Sequence, residues 1–319
     1  MILVFLSRAL NNVHVKKWFG VNDYNKILKK KNRNVFLGYY DYSAEKNNKV
    51  LFLATQNDLK KKAEIYYYDM EKQEEKYITS TNTWNYQMGC RLKWFSDKEI
   101  IFNDYDNKKG YISRIVDIYG KERVRFDFPI YDISNNKKYS FYTNFSILNY
   151  FRPGYGYTNE KIEKFSEEMN KQNGIFKGNL ETNKSNVILS IEEIKKHSSR
   201  NYLNSKYNYI NHISVSPYDN LFMFFHLWIS ENGELRNRVF FVDYDGKVLN
   251  IIDDFDRASH YTFKSINEIL LTIVINGKVE YRLYNIYTGN YQLFKFLATD
   301  GHPSYIDKEK FITDTYPDY

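Results

Sequence analysis

The chain has 319 residues and a formal charge of +7 from 46 basic and 39 acidic residues, with 31 Tyr and 23 Phe against only 14 Gly and 5 Pro. That length is ample for a large buried core, while basic residues scattered along the chain argue against a dedicated nucleic-acid binder, which gathers its charge into one face or stripe. The lone cysteine, Cys90, excludes an intrachain disulfide and a thiolate metal site, and it favours a reducing compartment.

Residues 1–34 form an N-terminal segment in which 2–6 has strand character and 13–28 has loose helical spacing. Six apolar residues at the start are too few for a secretory signal, and no run approaches the ~20 apolar residues a membrane-spanning helix needs. The expectation is a cytoplasmic protein with no membrane span.

From residue 35 a strand–turn–strand unit recurs, at 38–55, 89–104, 130–145, 211–226, 258–274 and 300–316. Its turns centre on Asn47, Asp97, Asn136, Asp219, Asn267 and Asp307, spaced by about 40 to 50 residues except for one long step after Asn136. Four of the copies are followed by two further strands, at 64–69 with 75–78, 111–117 with 123–128, 238–243 with 248–252, and 280–286 with 291–296. Three of those outer pairs are joined at Tyr119-Gly120-Lys121, Asp245-Gly246-Lys247 and Thr288-Gly289-Asn290, which are hairpin turn signals. Four antiparallel strands per copy at this period predict an all-β chain, a β-propeller occupying 35–319.

The long step predicts an insertion at about 149–207, within the third blade. Residues 159–173 place Ile162, Phe165 and Met169 on one side of an amphipathic helix ending at Gly174. Residues 174–189 then supply the outer hairpin, and Ser190 with Glu193 makes a capping box that opens a helix over 191–197. The insertion is either a lid over one mouth or a decorated connection. The sixth copy stops at Tyr319 after its second strand, giving five full blades and part of a sixth. A truncated or split chain, a fragment, and completion by the N-terminal segment are the three readings; the absence of a capping signal favours truncation.

In a propeller the inner strands converge on one funnel, so polar residues opening each copy are the candidate site. His212, His260 and His302, three of the six histidines, open three successive copies. Converging neutral imidazoles can hold a divalent metal, with Asp300 or Gln87 adding an oxygen, or one can serve as a general base beside an arginine. The structural alternative is that each histidine caps its strand by hydrogen bonding. Tyr40, Trp84, Gln87, Arg91, Arg152 and Tyr155 are the candidates for holding a substrate, since aromatic faces stack on sugars and guanidinium groups pair with carboxylates. Tyr157 belongs to the same loop, 152–157, whose two glycines suggest a shaped, exposed turn. His226, inside FMFFHLW, reads as a core histidine, and Cys90 as core filler.

Residues 300–314 (DGHPSYIDKEKFITD) and 259–263 (SHYTF) resemble the oligogalacturonate lyase family, within the wider group of TolB-like and WD40-like propellers. The resemblance implies a seven-bladed propeller that cleaves uronate glycans by β-elimination, using a histidine base, an arginine and a manganese ion held by histidines and a glutamine. It makes His260 and His302 metal ligands, with His212 and Arg257 as base and carboxylate binder. Of that family's Q-x-x-H-x-H cluster only His302 stands here, preceded by Asp300 and Leu297, and a seventh blade is absent.

The expected function is β-elimination on an acidic oligosaccharide or polysaccharide, with His212 or Tyr261 abstracting the proton α to the carboxylate while a cation or Arg257 neutralises that carboxylate. The alternative is a noncatalytic propeller that docks a polysaccharide or protein partner, in cell-surface glycan assembly.

Overall fold

The computed structural model describes residues 33–56, 62–197, 205, 207–218, 221–230, 232–295, 297 and 299–314. The expectations for 2–6, 13–28 and the turn at Asp219 lie outside the described residues. The described chain is mostly β and divides into two compact units. The first comprises the described part of Met1–Ile130 with Arg152–Lys161; the second comprises Tyr131–Phe151 with the described part of Ile162–Tyr319.

In the first unit, β1 (Asn34–Phe36), β2 (Glu45–Lys46), β3 (Lys49–Thr55), β4 (Ala63–Asp69) and β5 (Glu74–Thr81) form one antiparallel sheet. A second holds β6 (Lys93–Trp94), β7 (Glu99–Asp106), β8 (Gly110–Asp117) and β9 (Glu122–Phe126) in sequence order. Strand β1, which the repeat pattern does not mark, pairs with the end of β3. Successive side chains of a strand point to opposite faces. Leu51 and Leu53 of β3 therefore join a core with Ile65, Ile100, Phe102 and Trp94, while Val50, Phe52 and Ala54 join a second with Leu37 and Tyr68. Burying each such side chain contributes roughly 1.5–3 kcal/mol, which explains why β3 reads as an unbroken apolar run. Asn47 and Asn48, both at positive φ, make the tight turn that returns β2 into β3.

The second unit holds three four-stranded antiparallel sheets and a two-stranded one. They are β10 (Asp132–Ile133), β11 (Tyr139–Tyr142), β12 (Gly174–Asn179) and β13 (Lys184–Ser190); then β14 (Asn208–Val215), β15 (Phe222–Ile229), β16 (Leu235–Val242) and β17 (Val248–Ile252). Next come β18 (Arg257–Ser265), β19 (Glu268–Ile275), β20 (Lys278–Asn285) and β21 (Tyr291–Phe294), and last β22 (Ser304–Tyr305) with β23 (Phe311–Ile312).

Helix content differs from the sequence reading. Between β11 and β12 stand α1 (Phe145–Phe151) and the short α2 (Glu167–Lys171), in place of one helix over 159–173. Asn144 Oδ1 accepts the backbone N–H groups of Ser146 and Ile147 and so caps α1, whose FSILNYF sequence has no amphipathic spacing to announce it. Asn159, expected inside the helix, instead bonds the Thr83 hydroxyl and the Asn82 carbonyl. Gly174 opens β12 rather than closing a helix, because Gln172 is the C-cap of α2. The expected hairpin is β12–β13, and the Ser190–Glu193 capping box opens α3 (Ile191–Lys196) with both reciprocal bonds present.

The hairpin turns carry a repeated device. Asp117 Oδ1 accepts from the N–H groups of Tyr119 and Lys121, and Asp243 Oδ1 accepts likewise from those of Asp245 and Lys247. Gly120 and Gly246 sit at φ +90° and +92°. A Cβ on Gly120 would stand 2.8 Å from the Ile78 carbonyl oxygen of β5, and one on Gly246 would collide with that of Ile188 in β13. Each turn thus packs its glycine onto the outer strand of the preceding sheet. Buried Asn103 and Asn237 act as clamps in the same spirit. Asn103 both donates to and accepts from the Ile130 backbone, and Asn237 does so with Ala258.

Candidate functional site

In the second unit, β18 carries His260, the segment before β22 carries Asp300 and His302, and Asp314 follows β23. His260 Nδ1 lies 3.0 Å from Asp300 Oδ1, and His302 Nδ1 lies 3.0 and 2.9 Å from the two oxygens of Asp314. The two imidazole rings are 4.1 Å apart between centroids, inclined by 57°. Asp300 Oδ1 also accepts from Ser259 Oγ and from the Gly301 N–H, and Asp314 Oδ1 accepts from the His302 N–H. Gly301 has no room for a side chain, since a Cβ there would meet the Asp314 carbonyl and the Thr313 hydroxyl. The small residue lets the segment ending in Asp314 close onto the loop that carries Asp300 and His302.

These contacts set the proton positions. An ionised carboxylate only accepts, so each Nδ1 carries a hydrogen, and a ring in its neutral form has its lone pair on Nε2. Burial lowers the pKa of His260, whose side chain is 7% exposed; the Asp300 hydrogen bond opposes this and neighbouring His302 adds to it. Burial acting alone would raise Asp300 and Asp314, but the bonds from His260 and His302, the attraction of those rings and the bonds from Ser259 and the backbone N–H groups together outweigh it and hold both carboxylates below their ordinary range. The arrangement suits proton transfer: a neutral imidazole whose orientation and tautomer are fixed from behind by a carboxylate.

The structure therefore brings together three residues expected as a metal set, His260, His302 and Asp300, but in other roles. Asp300 lies behind His260 as an orienting carboxylate, with three donors on Oδ1, and not beside it as a second ligand. Among the described residues no group of three or more His, Cys, Asp or Glu side chains is arranged to hold a metal ion. Two imidazoles alone do not make the donor set the resemblance implies around manganese.

His212 stands elsewhere. Strand β14 changes register between Asn211 and Ser214, and His212 takes φ +56° there, with its N–H on the Tyr131 hydroxyl. Its ring packs 4.8 Å from Phe225 and 6.2 Å from Tyr261, and both His212 and Tyr261 are buried. The expected base and proton-abstracting tyrosine are thus taken up in an aromatic cluster, because the β-bulge turns His212 inward. Arg257 is exposed at the start of β18. His226 is a core histidine, as expected. Cys90 is core filler, also as expected, and burial raises its thiol pKa.

The first unit gathers the remaining candidates. Arg91 is fully buried in a bidentate ion pair with Asp41, with its guanidinium 4.2 Å from the Tyr42 ring centre. Trp84 is buried with Phe36 and Tyr86 against it, so it presents no face to a sugar. Tyr157 is likewise buried, its hydroxyl accepting from Asn103 Nδ2. Tyr40, Gln87, Arg152 and Tyr155 are half-buried. Sequence reasoning missed Asp314 as a site residue; its place in the 300–314 segment that carries the resemblance was the available signal.

No helix among the described residues is long and apolar enough to cross a membrane. No protein-family model and no curated protein matches the chain. Among solved structures it is similar to prolyl oligopeptidase B from Galerina marginata, with 10% identity, a TM-score of 0.52, and 90% of this chain matched to 39% of that one. It is also similar to the β-propeller domain of the Trilobed protease from Pyrococcus furiosus (14% identity, TM-score 0.48, 84% of this chain and 74% of that one). TolB from Acinetobacter baumannii matches at 15% identity and TM-score 0.41, over 76% of this chain and 50% of that one. The chain thus spans half the length of that TolB. At these identities the likeness concerns the fold, which has propeller-like neighbours.

Proposed function

We propose that the sheets are blades of a seven-bladed type of propeller, five full and one partial, and that the chain performs β-elimination on a uronate-containing saccharide at the His260–His302 pair. The observation that supports this reading is the pair itself: two imidazoles side by side, each held at Nδ1 by its own carboxylate. Neutral Nε2 of one ring takes the proton α to the uronate carboxylate. The electrons of that C–H bond form the C4–C5 double bond, the C4–O bond breaks, and the leaving oxygen takes a proton from water. Arg257, exposed on the strand that carries His260, is the candidate to neutralise the substrate carboxylate. No step is routed through a metal.

The test is the appearance of unsaturated uronate on incubation with uronate oligomers. Loss of turnover by about 10²–10⁴-fold in His302→Ala and His260→Ala is the expected result, the range typical of removing a general base. Unchanged turnover in both variants ends the proposal. A second reading, a noncatalytic propeller that docks a polysaccharide or protein partner, is favoured by the burial of His212, Tyr261, Trp84 and Arg91 in packing. It predicts binding with no turnover by the wild-type protein.

A further inference from the structure

Three Asn–Gly steps occur in the chain, at 173–174, 232–233 and 276–277. Glycine leaves the preceding asparagine open to attack on its side-chain amide, because no Cβ shields the glycine's backbone nitrogen. The fold puts the three steps in different states. Asn173 is buried; its Nδ2 donates to the Asn208 carbonyl, its own carbonyl accepts from the Ile191 N–H, and Gly174 packs against the Leu189 backbone. Asn232 is exposed, but the Gly233 N–H, which would be the attacking group, donates to the Ser230 carbonyl at 2.9 Å. Asn276 and Gly277 are both exposed and form by themselves the turn between β19 and β20, at φ +49° and +73° and closed by the Ile275–Lys278 pair. Among the described residues no hydrogen bond holds the Gly277 N–H, and a Cβ built on Gly277 has no atom within 4 Å.

We infer that Asn276–Gly277 is a self-modification site, at which the β19–β20 hairpin ages to isoaspartate and is loosened by it. The Gly277 nitrogen, losing its proton to water or hydroxide, bonds to Cγ of Asn276. The Cγ–Nδ2 bond breaks and ammonia leaves, giving a cyclic imide. Water then opens the ring: opening at Cγ gives ordinary aspartate, while opening at the main-chain carbonyl runs the backbone through Cβ and Cγ and gives isoaspartate. Isoaspartate adds one methylene to a turn only two residues long, and the Ile275–Lys278 pairing has no slack to take it up. Either product also puts a carboxylate on the residue whose N–H is held by Asp256 Oδ2 at 2.8 Å, while Asp256 Oδ1 pairs with Arg236. A second negative charge there repels the first and weakens that anchor. The inference needs no ligand and no residue of the His260–His302 pair.

The experiment is incubation of the folded full chain, and of the same chain in denaturant, in warm, mildly alkaline buffer. Peptide mass spectrometry follows each asparagine, and an isoaspartate-specific methyltransferase supplied with S-adenosylmethionine reports the rearranged product. In denaturant all three steps react. In the folded chain Asn276 reacts first, and Asn173 at least about tenfold more slowly, since a buried amide reacts only through local opening of the fold. Gly277→Ala, whose Cβ meets no neighbouring atom, suppresses the product at Asn276 in the folded and the denatured chain alike, which identifies the Gly277 nitrogen as the attacking group. Separated by its extra negative charge, the isoaspartate form melts below the unmodified protein. Reaction at Asn173 or Asn232 as fast as at Asn276 in the folded chain overturns the site. So does aspartate formed without isoaspartate, or an Asn276 left intact in the folded chain once the denatured chain has reacted. Equal melting temperatures for the two forms would overturn the loosening of the hairpin.

Discussion

Arg238 donates from Nε to Nδ1 of His226 at 3.1 Å, and that bond fixes the imidazole as the neutral Nε2–H form. Nε2 then donates to Asn208 Oδ1 at 2.9 Å. The guanidinium, fully buried, sends its other donors to the carbonyls of Ile194 and His197 at the end of α3. A buried cation is thereby satisfied by the negative end of a short helix and a neutral ring.

Stability should therefore fall as pH drops from 6.5 towards about 5. Burial and neighbouring Arg238 hold His226 well below its ordinary value of 6.5, and burial lowers His260 as well. Unfolded, both take up protons near 6.5; folded, they refuse them, so the unfolded state gains protons and stability. The slope is at most about 1.4 kcal/mol per pH unit for each histidine. Chemical denaturation across this window measures it, and His226→Gln should reduce the slope. An unchanged slope would show that His226 charges freely in the fold.

Asp314→Asn should slow any elimination by roughly 10–100-fold, the usual cost of removing a residue that orients a functional histidine. The amide presents an N–H to His302 Nδ1 and favours the opposite tautomer. Nitrogen-resolved NMR of the imidazole should report the proton moving from Nδ1 to Nε2, which a purely structural role for Asp314 would not produce.

Gly246→Ala should cost more stability than Gly154→Ala. Both glycines have φ above +90°, but only Gly246 has a carbonyl, that of Ile188, where the Cβ must go. Backbone strain alone accounts for about 1–2 kcal/mol. The collision adds to it at Gly246, and equal losses in denaturation midpoints would contradict the close approach.

Cys90 should resist a thiol-specific disulfide reagent in the native protein and react once denatured. It is fully buried, and burial, with the nearby Asp104 charge, pushes its thiol pKa up. Rapid native labelling would place the Gly89–Arg91 backbone outside the core.

The strands and their turns were legible because each rests on near neighbours. The unbroken apolar run of β3, the Asp-x-x-Gly turns after β8 and β16, and the Ser190–Glu193 box are all written within a few residues. Helix α1 was not legible, since FSILNYF is apolar nearly throughout and its buried face, Phe145, Ile147 and Leu148, is chosen by what packs against it. Residues 159–173 erred the other way: a helical pattern was present, but Asn159 found better partners in Asn82 and Thr83.

Three histidines at equivalent places in successive repeat copies were visible in the sequence; in the structure His212 and His260 lie within β14 and β18 and His302 just before β22. Only tertiary structure decided that two of them meet and the third turns into an aromatic cluster. His260 and Asp300 lie on different sheets' segments, brought together by sheet packing, and the fate of His212 follows from a register shift in β14. Local sterics and burial period are encoded residue by residue. Which side chains converge depends on bulges and on long-range packing, where displacing a strand by one residue exchanges its two faces.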